Sequence, residues 1–435
     1  MAASVFDSPL YAHLFPTGEA GRLFSDTAAL RAMLLVLGAL ARSQAALGVI
    51  PDLSAKAIQR ATMEIQIDPG AIARATGENG DCVEGLVAAF RAEMNAPEHA
   101  QFVHWGASSQ DIMDTALMLR LRQLLLLAEQ DLRTIIAALA QQASEHAQTP
   151  MTGRTNGQRL TPTSWGAVVA DWGHALCDLV EALTVLRASS LYASLSGSAG
   201  TGSPLGPQAA QTRAGLATGL GLNDPARCWH VDRGPIQRIA DWLGQVTNVL
   251  SRMGVSLIAL TSPEIAEVRM LAFSRQQGPV GPAAMLALGH QMNGLRAALS
   301  AATHHAHQGD NAAFFTEWMV LPQIALGTAS ALQHAKIVTQ NMKADTDRMA
   351  ATLGDRHGII HGEALTYALA REMPRPKAQA ETARLCHAAQ DQGVPLEKIA
   401  RAAYPVLTQD LFDPARSLGQ APVDARAFAA RAKAI

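Results

Sequence analysis

The chain has 435 residues, 49% hydrophobic and 17% charged, which excludes a disordered tail protein and is long enough for two or three domains. Its formal net charge is -2, from 35 basic and 37 acidic residues, so no polyanion-binding surface is expected and nucleic acid is not an expected partner. Aromatic residues make up only 5%, which leaves alanine, leucine and valine to fill the core.

In chain order, residues 1–15 lack a basic segment followed by a long apolar run, so no signal peptide is expected. The most apolar stretch, 29–41, carries Arg31 and is too short to span a bilayer, so no membrane association is expected. Up to about residue 110 the pattern is one of short helices, broken at Pro51, at Pro69 and Gly70, and between Gly77 and Gly80. From Met118 a heptad seam runs through Leu121, Leu125, Ala128, Leu132, Ile135 and Leu139. A second runs Val169, Trp172, Leu176, Leu179, Leu183 and Leu186. Residues 196–207, rich in glycine, serine and proline, interrupt the helices. A third seam follows at Ile239, Leu243, Val246, Leu250, Met253, Leu257 and Leu260, a helix about 32 Å long. Such stripes cannot be buried one helix at a time, so the long helices should pack on each other. Beyond Gly354 come short helices with Pro374, Pro376, Pro395 and Pro405. The expected fold is all-α: a helical N-terminal domain over 1–110, a central long-helix bundle over 111–345, and a helical C-terminal domain over 346–435.

The four cysteines, Cys82, Cys177, Cys228 and Cys386, form no CxxC pair. A zinc ribbon is therefore not expected, and isolated thiols fit a reducing, cytoplasmic compartment. No lysine occurs between Lys56 and Lys336, which removes Schiff-base and phosphate-loop chemistry from the middle of the chain.

Four segments carry candidate chemistry. In 104–116, Gly106, Ser108 and Ser109 offer N–H groups and hydroxyls at a helix start, which suits a carboxylate. A plain N-cap from Ser109 or Asp111 is the commoner use of such residues, and physics alone favours it. Segment 151–163 is dense in donors, Arg154, Thr155, Asn156, Gln158 and Arg159, and reads either as a dicarboxylate site or as a polar loop capping the next helix. In 229–233, His230 beside Asp232 and Arg233 reads as acid–base machinery or as a surface loop before a helix opened by Pro235. His304, His305 and His307 lack a cysteine or glutamate to complete a ligand set, and His357 and His361 lack the glutamate of HExxH, so no metal is expected.

These segments, in this order, resemble the fumarase/aspartase superfamily, and within it the 3-carboxy-cis,cis-muconate cycloisomerases, with adenylosuccinate lyases further off. The likeness covers almost the whole chain. It rests on LFSDTAALRAML, ARSQAALGVIP, HWGASSQDIMDTA, GRTNGQRLTPT, WHVDR, PEIAEV, TEWMVLPQ and DLFDPARSLG. The resemblance implies a homotetramer built on a helical core, with each active site assembled from three subunits and no cofactor. It also implies proton transfer at carbon next to a carboxylate, with fixed donors stabilising the intermediate. Carried over by position, Ser108, Ser109, Gln110, Arg154, Thr155 and Gln158 hold substrate carboxylates. Arg233 and Arg275 add cations, and His104 lines the pocket.

The chain departs from the family at the signature that reads GSSxMPxKxNP. After Glu267 and Val268 the loop is short and lacks its opening glycine; Gln276 replaces the lysine and Gly278 the asparagine. Ser274 is the one serine left there, and it does not align with the family's catalytic serine. Asn156 stands where the lyases carry a histidine. Proton transfer then falls to Ser274, His104, Asn156 or His307. Two readings follow: an enzyme with altered chemistry on a small di- or tricarboxylate, or an inactive relative serving as scaffold or partner subunit.

Overall fold

The computed structural model describes residues 4–270, 279–354 and 356–435. Helix accounts for 71% of it, so the class is all-α, as the periodicity requires. The residues of all three heptad seams are buried. The second seam is not one helix: Trp165–Glu181 ends and Leu183–Ser190 begins after Ala182.

The chain divides into two compact units, each drawing on three stretches of sequence. The first comprises Met1–Asp131, Ala182–Asn248 and Ala287–Gln333. Its core forms around the Asp26–Ala46 helix, which Ser25 caps by accepting from the Ala28 N–H at 3.2 Å. This is the one described helix long and apolar enough to cross a membrane. Its Leu34, Val36, Leu37 and Leu40 are instead buried in the protein core. The Asp52–Glu64 helix starts directly after Pro51, and Pro69–Asn79 starts at its proline and stops at left-handed Gly80, so the breaks in the sequence are the breaks in the fold.

The second unit comprises Leu132–Glu181, Val249–Leu286 and His334–Ile435. Here the polar segment 151–163 is a β-hairpin, not a loop. Strand Pro150–Thr155 (β1) pairs antiparallel with Gln158–Ser164 (β2). The link is Asn156-Gly157, both with positive φ (50° and 73°), a combination that closes a two-residue hairpin. Ser164 then caps the next helix by accepting from the Ala167 N–H at 3.1 Å. That helix packs against Ala421–Ala432 so closely that a Cβ on Gly173 would sit 2.0 Å from Phe428 Cζ. A short pairing joins Val268–Met270 (β3) to Met342–Ala344 (β4). The tail helices Gly362–Leu369, Arg375–Gln392 and Leu396–Ala403 bury Leu365, Leu385 and Leu396 against each other.

Candidate active site

In the first unit the helix Ser109–Glu145 begins at the segment singled out in the sequence. Of the two residues expected to cap it, Asp111 takes part and Ser109 does not; the partner of Asp111 is Ser108. The Asp111 N–H donates to Ser108 Oγ at 3.2 Å while Asp111 Oδ2 accepts from the Ser108 N–H at 2.9 Å, a reciprocal capping box. Ser108 Oγ also donates to Asp111 at 2.9 Å, so this hydroxyl is engaged within the protein. Ser109 and Gln110 occupy the first turn, half-buried, at the positive end of the helix dipole. Gly106 leads into this turn at φ 72°, and a Cβ there would meet Leu205 at 2.6 Å. His104 sits in a left-handed conformation (φ 63°) with Nε2 buried. His104 Nε2 and Gln110 Nε2 have no hydrogen-bond partner among the described residues. Burial lowers the His104 pKa, with the Ser108 main chain partly opposing, so the ring is neutral near pH 7.

Asp111 anchors far more than the cap. Its carboxylate is 0% exposed and also accepts from Ser194 Oγ (2.9 Å), the Ser196 N–H (2.8 Å), the Gly197 N–H (2.9 Å) and His230 Nε2 (2.8 Å). The glycine-rich loop is therefore tied to the helix start. Burial alone disfavours the His230 imidazolium, but Asp111 and Cys228 outweigh it and push the pKa up to about 10. Burial likewise opposes ionisation of Asp111, yet His230 and Ser108 hold its pKa below the usual carboxylate value.

One helical turn on, Asp114 meets Arg233. The guanidinium is 1% exposed and lies between two carboxylates. It donates to Asp114 at 2.8 and 2.9 Å, to Glu317 at 2.6 and 2.9 Å, and to the His230 carbonyl at 3.1 Å. It also stacks over the rings of Trp229 and Phe314, 5.1 and 5.4 Å from their centroids. The sequence expectation made Arg233 a cation for substrate, but its five N–H groups are already occupied inside the protein. Segment 229–233 is only in part a surface loop: Val231 and Asp232 are exposed, but Trp229, His230 and Arg233 are buried. His307 is exposed, with φ 54°, between the helices Val280–Ala301 and Asn311–Asn341.

In the second unit Arg154 forms a bidentate pair with Glu267 at 2.7 and 2.8 Å, and Glu267 is 0% exposed. Thr155, Asn156 and Gln158 form the exposed tip of the hairpin, where the β-turn presents their side chains to solvent. Ser274 and Arg275 lie outside the described residues.

Sequence reasoning gave no role to Asp114, Glu317 or Ser194. The i, i+3 spacing of Asp111 and Asp114 marks one helix face and was legible. Their partners lie 119 residues away at His230 and Arg233, and local spacing carries no sign of that.

The chain is similar to known proteins over most of its length. The pattern of the family described as Lyase matches residues 17–280. The chain is 35% identical to 3-carboxy-cis,cis-muconate cycloisomerase of Pseudomonas aeruginosa, over 95% of this chain and 93% of that protein. It is 32% identical to nitrosuccinate lyase of Streptomyces davaonensis, over 97% of this chain and 94% of that protein. Among solved structures, the 3-carboxy-cis,cis-muconate lactonizing enzyme of Pseudomonas putida superposes with a TM-score of 0.92 at 31% identity, covering 98% of this chain and 99% of that one. A match over most of the chain in both sequence and fold makes this protein an enzyme of the Lyase family, within the fumarase/aspartase superfamily.

Proposed function

We propose that the protein is a cycloisomerase or lyase acting on a small di- or tricarboxylate, with proton transfer at carbon next to a carboxylate. The observation that carries this reading is the likeness to 3-carboxy-cis,cis-muconate cycloisomerase over 95% of the chain. In this reading Ser109 and Gln110, at the positive end of their helix, and Thr155 and Gln158, at the hairpin tip, hold carboxylates. His104, neutral and with a buried unpartnered nitrogen beside the Ser109–Glu145 helix start, exchanges a proton with substrate. Arg154 and Arg233, each tied to buried acids, position their segments. The active assembly is a cytoplasmic homotetramer whose subunits share each site, working without a cofactor.

The shortened signature loop, with Gln276 and Gly278 in place of the family's lysine and asparagine, favours altered chemistry and sustains the second reading of an inactive relative. One assay separates them. Purified protein mixed with 3-carboxy-cis,cis-muconate should bleach the ultraviolet absorbance of the conjugated diene as the lactone ring closes. If that substrate is inert, a panel of succinyl adducts should show fumarate appearing. No turnover on either set refutes the enzyme reading of this site.

A further inference from the structure

Arginines elsewhere in this chain meet acids, as Arg187, Arg213 and Arg431 do. Arg31, Arg42, Arg120 and Arg122 do not. All four line one groove of about 530 Å³ in the first unit, and its lining contains no aspartate or glutamate. Among the described residues none of the four has an ion pair. Arg31 donates to the Thr62 carbonyl near the end of the Asp52–Glu64 helix and to the Met63 sulfur. Arg122 donates to the Leu220 and Gly221 carbonyls, at 2.5 and 2.9 Å, where the Ala209–Leu220 helix ends. Arg42 is exposed and stands at the same helix end, since a Cβ on Gly219 would lie 2.7 Å from its Nη2. Arg120 reaches the Leu23 carbonyl at 3.5 Å and lies over the Phe24 ring, 5.7 Å from its centroid. These contacts fix guanidinium groups and offset the partial charge of helix ends, but they leave full positive charges without an anion. Arg120 shows the imbalance most sharply. Its Nε is closed to solvent and has no hydrogen-bond partner among the described residues. Burial lowers its pKa, and only the Cys82 thiol works against that. A cation withdrawn from water with no anion beside it is unfavourable, and a bound oxyanion relieves it.

We propose that this groove binds a small elongated polyanion, with carboxylate or phosphate groups at its two ends and an apolar stretch between them. Arg31, Leu35, Gly38, Ala39 and Arg42 line the groove and lie on one face of the Asp26–Ala46 helix. The two arginines are about 16 Å apart along that helix. Leu35 and Ala39 separate them, and Leu35 is 38% exposed, an apolar floor between charged ends. Arg42 and Arg122 take one end of the ligand, and Arg31 and Arg120 take the other. Planar guanidinium forks match both carboxylate and phosphate oxygens. The volume suits a small molecule. A net charge of -2 averages over the whole chain and hides this local cluster. The inference is independent of the reading of the carboxylate site, because none of the residues assigned to that site lines the groove.

The test uses the intact protein and two probes with the same eight-carbon chain, decanedioate and octanediphosphonate. Phenylglyoxal labels arginines, and peptide mass spectrometry reads the rate at each one. With a probe at about ten times its Kd, labelling of Arg31, Arg42, Arg120 and Arg122 should slow by about tenfold. Arg60, exposed and paired with Glu64, should label at the same rate with or without probe. Calorimetry at low salt gives the affinities, and whichever probe binds more tightly identifies the oxyanion as carboxylate or phosphate. Arg42→Gln removes a side chain with no hydrogen bond among the described residues, so the fold should be kept while Kd rises by about tenfold, the loss of one charge-assisted contact. Neither probe saturating below about 1 mM, no protection of the four arginines, or an unchanged Kd in Arg42→Gln overturns the proposal.

Discussion

Replacing Asp111 by asparagine tests the best-connected group in the first unit. The new amide keeps one acceptor oxygen and turns the other into a donor. If its NH2 takes the place of Oδ2, it faces two fixed main-chain donors, the Ser108 and Gly197 N–H groups. If it takes the place of Oδ1, it faces one fixed donor, the Ser196 N–H, plus Ser194 Oγ, which can rotate, and His230, which can lose its proton. The second orientation is cheaper and is the one expected. It gives up one charge-assisted hydrogen bond, about 1.5–3 kcal/mol, and a buried ion pair whose disruption costs about 3–5 kcal/mol. Allowing for overlap between the two, the loss at pH 6.5 is about 3–6 kcal/mol.

The same change has a signature in pH. His230 is held up to about 10 in the folded protein and is an ordinary histidine when unfolded. Its contribution to stability is complete below about pH 6.5 and is lost as pH rises toward 10, at about 1.4 kcal/mol per unit. The difference between the parent and Asp111→Asn should therefore shrink by about 2 kcal/mol from pH 6.5 to 8. Urea denaturation at fixed protein concentration measures it. A penalty under 1 kcal/mol, or a difference that grows with pH, refutes the argument.

Arg233→Met should cost about 3–5 kcal/mol, because Asp114 and Glu317 are left facing each other without a cation. Burial already raises the Glu317 pKa, so the penalty should be smaller at pH 5 than at pH 7.5 in the same denaturation experiment. Gly157→Val places a β-branched residue at φ 73° and should destabilise the hairpin by about 1–2 kcal/mol. If Thr155 and Gln158 hold substrate, the KM of the active enzyme should rise with it. Arg154→Gln leaves the fully buried Glu267 without its guanidinium, and the added change Glu267→Gln should recover much of the loss. A double-mutant cycle with no coupling between the two positions counts against that pairing.

The sequence by itself determined the helical class. The seams at Met118–Leu139 and Ile239–Leu260 repeat at the helix period, and the chain can bury such stripes in no other way. The breaks at Pro51, Pro69 and Gly80 were equally local, since proline fixes φ at a helix start and glycine alone enters the left-handed region freely at its end. The hairpin was legible too: Asn156-Gly157 is a strong two-residue turn signal, obscured by the polar side chains around it. Tertiary structure decided the roles of the charged groups. Arg233 read as a free cation because an arginine in sequence carries no mark of the acids it will meet, and Asp114 and Glu317 reach it only through long-range packing. The segment holding His230 read either as acid–base machinery or as a surface loop for the same reason. Charge environment is set by neighbours in space, and those neighbours are chosen by the burial of apolar stripes tens of residues away.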